Sequence, residues 1–177
     1  MTLPNKLTIS RILLIPVFII LLINEYKFPA LLIFGLASLT DALDGIIARV
    51  RNQRSRLGFF LDPVADKLLV NTSFITLAIM DFIPSWLAVI IMARDILITL
   101  GVMSIYIWNE RPVISPTLIG KSTTMIQMST IFLVLLNLWA GHLSMIVCFF
   151  IWLSALLTII SGFEYIYVGA RMQDGKS

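Results

Sequence analysis

The chain has 177 residues, of which 59% are hydrophobic and 13% are charged, with a formal net charge of +3. Its mean hydropathy is +0.97, whereas a soluble domain carries about 25% charged residues. This composition excludes a water-soluble globular protein and predicts an integral membrane protein that contacts lipid. The length allows one domain of several helices with short connections, and no nucleic-acid partner is expected.

Six apolar stretches are predicted to cross the membrane, since a helix needs about 20 apolar residues to span the hydrocarbon. The predicted spans cover about residues 7–23, 29–49, 57–80, 84–108, 118–138 and 142–168. Strand patterns are absent, and a backbone in lipid must satisfy its own hydrogen bonds. We therefore predict an all-α, integral membrane six-helix bundle that forms one catalytic domain over residues 1–177.

Positive residues are concentrated on one side of these predicted spans. They lie at Lys6, Arg11, Arg49, Arg51, Arg54, Arg56, Lys67, Arg111, Lys121, Arg171 and Lys176. Outside the spans, only Lys27 is on the other side. Because cytoplasmic loops are enriched in Lys and Arg, both termini are predicted in the cytoplasm, most simply at a bacterial inner membrane. The start of the first span is expected to place Lys6 and Arg11 among lipid headgroups.

Four aspartates lie beside the connection between the second and third spans. Asp41 and Asp44 are three residues apart, and Asp62 and Asp66 are four apart. On a helix, each pair lies on one face. A single aspartate at a helix end is often only a cap. Two facial pairs of carboxylates next to hydrocarbon are costly, and they favour a functional site over caps.

Antiparallel packing of the second and third spans would bring these carboxylates together, where four negative charges would repel one another. Divalent cations remove that repulsion, and ligands that are all oxygen favour Mg²⁺ or Mn²⁺. Four carboxylates balance two such ions, and a two-metal site suits displacement at phosphorus. Gly45 allows close approach of a ligand to the backbone, and Arg49 is a candidate phosphate ligand.

These residues form a longer pattern, D-x2-D-G-x2-A-R-x8-G-x3-D-x3-D, which the segment from Asp41 to Asp66 matches without a gap or substitution. In this pattern the chain resembles the CDP-alcohol phosphatidyltransferase family. The resemblance implies a six-helix membrane fold, a homodimer, and transfer of a phosphatidyl group from CDP-diacylglycerol to an alcohol with release of CMP.

The resemblance also implies roles for individual residues. Asp41, Asp44 and Asp62 would be metal ligands, and Asp66 would join them and act as general base on the acceptor hydroxyl. CDP-diacylglycerol would be bound by Gly45, Ala48 and Arg49, with Gly58 shaping the turn into the third span.

The acceptor must be inferred from residues outside this pattern. Arg94 lies within the fourth span and needs a partner or a polar cavity. It either satisfies other helices or binds an anionic acceptor. Lys121 begins the fifth span and is either an interfacial lysine or part of the same pocket. The acceptor candidates are Arg94, Lys121 and Arg111, with weaker candidates at Asn5, Thr8, Arg11, Thr124 and Gln127.

These cations favour a phosphorylated acceptor over serine or choline. The segments LPNKLTISRILLIP, ARDI and GKSTTMIQM are similar to those of bacterial family members whose acceptor is sn-glycerol 3-phosphate. Inositol phosphate and phosphatidylglycerol stay open as alternative acceptors. A small ion or solute transporter is the alternative from another class, but the chain has no internal repeats and its charges lie near one membrane face.

Overall fold

The computed structural model describes the backbone of residues 3–51, 56–108 and 118–174, and the side chains of residues 10–40, 67–101 and 118–167. The helices are α1 (Leu3–Ile23), α2 (Lys27–Arg51), α3 (Arg56–Ile79), α4 (Ser85–Trp108), α5 (Leu118–Ala140) and α6 (Ser144–Asp174). No strand occurs in these ranges, so the all-α prediction is confirmed. The largest difference from the predicted bounds is at the end of α6, which continues beyond Val168 to Asp174.

The helices pack as a bundle in which neighbours along the chain are often neighbours in space. α1 packs against α2 and α3, α4 packs against α3 and α6, and α5 packs against α6, α2 and α3. The centre is filled by large apolar side chains such as Phe18, Phe34 and Phe74, which are at most 1% exposed. The rings of Phe18 and Phe34 lie 5.8 Å apart and join α1 to α2.

Three tight turns connect α1 to α2, α3 to α4 and α5 to α6, and each contains a left-handed residue. These residues are Glu25 (φ 60°), Asp81 (φ 57°) and Gly141 (φ 76°). At the end of α3, the Phe82 amide donates to the Leu77 carbonyl at 2.9 Å, a bond typical of a helix end with a left-handed residue. Such short turns place consecutive helices side by side.

Polar side chains lie between the helices and apolar side chains lie on the outer surface, as in a protein surrounded by lipid. Side chains on the outer face of α6, such as Phe149, Trp152 and Phe163, are more than 60% exposed. The buried polar side chains include Ser73, Thr76, Thr123, Gln127, Thr130, Ser154, Thr158 and Ser161. Small and polar residues between helices and apolar residues outside are typical of membrane bundles.

Two helices in the described part of the chain are long and apolar enough to cross a membrane, Leu118–Ala140 and Ser144–Tyr167. Shorter apolar stretches cover Ser10–Ile23, Lys27–Thr40 and Lys67–Ile79. Together with the apolar outer surface, these helices indicate that the chain is associated with a membrane.

Candidate active site

The backbone places the aspartates on two helices. Asp41 and Asp44 lie in the second half of α2, and Asp62 and Asp66 lie in the first half of α3. Among the described residues, α1 and α5 each contact both of these helices. The predicted packing of α2 against α3 concerns their aspartate-bearing ends, which lie outside the described side chains, and it stays a prediction. In the described part of the chain, α1 and α5 therefore each connect the two aspartate-bearing helices.

Several predicted site residues fall outside the described side chains. This group comprises the four aspartates, Gly45, Ala48 and Arg49 on α2, Gly58 on α3, and Asn5 and Thr8 on α1. Arg111 lies outside the described residues altogether. Among the side chains that are described, no group of three or more His, Cys, Asp or Glu residues is arranged to hold a metal ion. The role of the four aspartates as metal ligands stays a prediction from the sequence.

Arg94 lies in the middle of α4, and its guanidinium connects α4 to α6. Its side chain is only 8% exposed and forms a 2.8 Å ion pair from Nη1 to Oδ1 of Asp95. Nη2 donates to Oγ of Ser161 at 2.7 Å. The guanidinium carbon also lies 6.0 Å from the centre of the Tyr165 ring, within range of a cation–π contact. A buried arginine thus has a carboxylate, a hydroxyl and an aromatic ring as neighbours.

Asp95 connects the same cluster to the helix that carries Asp62 and Asp66. Its second oxygen, Oδ2, accepts a hydrogen bond of 3.3 Å from Nδ2 of Asn71 on α3. One turn along α4, Oγ1 of Thr99 accepts a 2.9 Å hydrogen bond from Nζ of Lys67. The two contacts together form a polar ladder between α3 and α4, with Lys67 opposite Thr99 and Asn71 opposite Asp95.

This ladder begins one residue after Asp66 on α3. Asn71 was not a candidate in the sequence, and Lys67 was interpreted only as a determinant of topology. The one available sign was an asparagine within the apolar run LLVNTSFITL.

Two buried polar atoms in this cluster have no hydrogen-bond partner within the part of the chain that is described. They are Nε of Arg94 and Oδ1 of Asn71. Both side chains are bonded to Asp95, so one spare donor and one spare acceptor lie beside the same carboxylate. Because buried polar groups are nearly always satisfied, these two atoms mark the cluster as a place where a further polar partner would bind.

The polar face predicted on α5 divides into exposed and buried residues. Lys121 is exposed at the start of the helix. Thr124 is half-buried, and its hydroxyl donates to the Gly120 carbonyl at 3.3 Å. Gln127 is 1% exposed and donates from Nε2 to the Thr158 hydroxyl at 2.9 Å. The glutamine amide thus bonds to a neighbouring helix, while Lys121 keeps its side chain at the surface.

Arg11 differs from its predicted position. We expected it at lipid headgroups, but its side chain is 1% exposed inside the bundle. The reason is that α1 is continuous from Leu3 and packs against both α2 and α3. Because α1 contacts both aspartate-bearing helices, this buried position is compatible with a role for Arg11 near the site.

Comparison with known proteins gives a consistent result. A family model described as CDP-alcohol phosphatidyltransferase matches residues 1–160. The chain is 32% identical over 183 residues to the CDP-diacylglycerol–glycerol-3-phosphate 3-phosphatidyltransferase of Bacillus subtilis (strain 168), with 92% of each chain covered. A protein of the same name from Rickettsia typhi is 36% identical over 170 residues, covering 92% of this chain and 94% of the relative.

A human protein with a different name is also similar. The cardiolipin synthase (CMP-forming) of Homo sapiens is 34% identical over 195 residues, covering 96% of this chain and 62% of the relative. The Bacillus and Rickettsia relatives match over almost their whole length, whereas the human relative has a large part without a counterpart in this chain.

Proposed function

Because the chain belongs to the CDP-alcohol phosphatidyltransferase family, we propose that it transfers the phosphatidyl group of CDP-diacylglycerol to sn-glycerol 3-phosphate. The products are phosphatidylglycerophosphate and CMP, so the reaction belongs to phospholipid biosynthesis. The observation that carries the proposal is the complete eight-position pattern from Asp41 to Asp66 in a chain that matches the family model over residues 1–160. The names of the bacterial relatives support the choice of acceptor.

The proposed chemistry is one in-line displacement at phosphorus. Asp66 accepts the proton of the glycerol 1-hydroxyl, whose oxygen attacks the phosphorus bonded to diacylglycerol. Arg49 stabilises the negative charge of the pyrophosphate as CMP leaves.

Asp41, Asp44, Asp62 and Asp66 would hold two divalent cations, and their donors, all carboxylate oxygens, fit Mg²⁺ or Mn²⁺. When bound, such ions neutralise charge on the phosphate oxygens.

For the acceptor, we propose a cationic pocket that contains Arg94, Lys121 and Arg111. Arg94 supports this assignment because Nε is a buried donor without a hydrogen-bond partner in the described part of the protein. Its ion pair with Asp95 fixes the guanidinium plane, which favours geometric recognition of a phosphate. Lys121 is exposed at the start of α5 and is available to an anion arriving from water.

We propose further that all six helices cross the membrane as one domain over residues 1–177, with both termini and the site in the cytoplasm. The positive residues support this orientation. Exposed aromatic residues lie near the three tight turns, on the side predicted to face outward: Tyr26, Phe28, Trp86 and Trp139. Aromatic residues of this kind are enriched where membrane and water meet. The family resemblance also supports a homodimer.

The decisive experiment measures CMP release from labelled CDP-diacylglycerol by the purified chain in lipid–detergent micelles. Release should require sn-glycerol 3-phosphate, stop with chelator, and return with Mg²⁺ or Mn²⁺. Phosphatidylglycerol and inositol phosphate are presented in parallel, because the human relative is named a cardiolipin synthase. Preferred use of either would replace the proposed acceptor, and ion flux across vesicles without CMP release would favour a transporter.

A further inference from the structure

The polar ladder between α3 and α4 is anchored to a third helix. Asp95 accepts from Asn71 of α3 through Oδ2 and from Arg94 through Oδ1, at 3.3 and 2.8 Å. Arg94 in turn donates to Ser161 of α6 at 2.7 Å. The Asp95 carboxylate is therefore the central acceptor through which α3, α4 and α6 are joined.

Polar contacts of this kind fix how far one helix is shifted along its neighbour, which apolar packing alone defines less sharply. In a bilayer, lipid tails are as apolar as leucine, so sliding of one apolar helix along another carries little hydrophobic cost. A slip of one turn, about 5.4 Å, would separate both pairs of the ladder at once. Lys67 opposite Thr99 and Asn71 opposite Asp95 thus favour one register at the end of the α3–α4 pair that is far from the tight turn at Asp81.

The register of α3 determines where its aspartates lie. Asp66 directly precedes Lys67, and Asp62 lies one turn earlier on the same continuous helix, Arg56–Ile79. Axial displacement of α3 would carry both carboxylates with it, away from those on α2. A metal site tolerates such displacement poorly, because the distances between ligands and ion are short and narrowly distributed.

We propose that Asp95 is a positioning residue for the metal site. Its carboxylate, through Asn71 and the adjacent Lys67–Thr99 contact, sets the axial position of α3 and hence of Asp62 and Asp66. This inference rests on the proposed roles of those two aspartates. Asp95 then needs no contact with substrate, and this role accounts for a carboxylate in the middle of α4, where it is 6% exposed.

The test exchanges the partners across the α3–α4 contact. Asn71→Asp places two carboxylates opposite each other, and Asp95→Asn leaves Arg94 without its anion. Each single variant should raise the Mg²⁺ dissociation constant, measured by titration calorimetry without substrate, and the half-saturating Mg²⁺ concentration for CMP release about 10-fold or more, as loss of groups that orient metal ligands does. The double variant Asn71→Asp/Asp95→Asn restores one carboxylate and one amide, and it should recover most of the wild-type Mg²⁺ dependence.

Two further variants serve as controls. Thr76→Val, on the same helix, removes a buried hydroxyl whose hydrogen bond stays within α3, to the Thr72 carbonyl. It should leave the Mg²⁺ dependence unchanged. Thr99→Val removes the Lys67 contact and the bond from the Thr99 hydroxyl to the Asp95 carbonyl of its own helix, at an exposed position. The positioning role can therefore still be measured if Asp95→Asn does not fold. A smaller rise in half-saturating Mg²⁺ is expected for this variant.

The outcomes separate this inference from the proposed function. If the wild-type chain releases no CMP with sn-glycerol 3-phosphate, the proposed function fails. If the wild-type chain is active and chelator-sensitive but folded ladder variants keep its Mg²⁺ dependence, the positioning role is overturned. A folded double variant that stays as impaired as the single variants overturns it too. An effect confined to the acceptor KM would instead show that Asp95 acts only through Arg94.

Discussion

Gln127 of α5 donates a 2.9 Å hydrogen bond from Nε2 to the hydroxyl of Thr158 in α6. The two side chains are at most 1% exposed, and the Thr158 hydroxyl in turn donates to the Ser154 carbonyl at 2.7 Å. Interhelical bonds of this type stabilise membrane proteins by about 0.6 kcal/mol on average, with a maximum of about 1.7 kcal/mol. The contact therefore gives Gln127 a structural role in addition to its candidacy as an acceptor ligand.

A double-mutant cycle separates these roles. Gln127→Leu, Thr158→Val and the double variant are compared by unfolding in mixed detergent micelles. We expect a coupling free energy of about 0.6 kcal/mol between the two side chains. A coupling of zero would contradict the hydrogen bond. Thr158→Val should keep the wild-type KM for sn-glycerol 3-phosphate, so a rise in Gln127→Leu alone would identify acceptor binding by the glutamine.

Removal of the proposed general base should separate turnover from binding. Asp66→Asn is expected to lower kcat by about 10²- to 10⁴-fold, the range typical of positioned acid–base groups. Binding of CDP-diacylglycerol, measured with labelled lipid at equilibrium, should remain near that of the wild type. Near-normal turnover would remove Asp66 from this role.

Asp81→Asn is the matched control for Asp66→Asn. Asp81 is exposed in the turn between α3 and α4 at φ 57°, and asparagine tolerates this left-handed backbone. Its kcat should equal that of the wild type.

Lys121 should act on the acceptor and not on the lipid substrate. Lys121→Ala is expected to raise the KM for sn-glycerol 3-phosphate about 10-fold, since a charged hydrogen bond contributes about 1.5 kcal/mol or more. The KM for CDP-diacylglycerol should not change.

Lys27→Ala provides the matched control for Lys121→Ala, because Lys27 begins α2 at the opposite predicted membrane face. Equal acceptor KM values for wild type and Lys121→Ala would exclude this lysine from the pocket.

Arg94→Ala is expected to have two separate effects. It leaves the 6% exposed Asp95 without its cation, and breaking a buried ion pair in this way costs about 3–5 kcal/mol. Unfolding in mixed micelles measures this loss. In the folded fraction, the acceptor KM should also rise. An unchanged acceptor KM in both Arg94→Ala and Lys121→Ala would contradict the pocket, whereas loss of stability alone would assign Arg94 a purely structural role.

The orientation can be tested with introduced cysteines, because Cys148 is the single native cysteine. In a Cys148→Ser background, His142→Cys places a thiol in the exposed α5–α6 turn, and Lys176→Cys places one near the C-terminus. In intact cells, a membrane-impermeant maleimide should label His142→Cys and spare Lys176→Cys. Lysed cells, in which both thiols should react, provide the control. The reverse pattern in intact cells would invert the proposed orientation.

The sequence by itself determined the helices and the pattern that identifies the family. Apolar runs of about 20 residues admit little besides helices in lipid, and the observed bounds lie close to those predicted. The spacing of Asp41 with Asp44, and of Asp62 with Asp66, fixes each pair on one helical face without reference to any other helix. The family followed from that local pattern.

Only the tertiary structure decided which helical faces meet. Asn71 bonds to Asp95, and Arg94 bonds to Ser161, although these partners lie far apart in the chain. The burial of Arg11 likewise depends on helices that are distant in sequence. Helical periodicity defines the residues that share a face, but in a bundle of similarly apolar helices it does not define the partner of that face. That choice depends on the packing of all the helices together, and it determines how the helix bearing Asp62 and Asp66 is held.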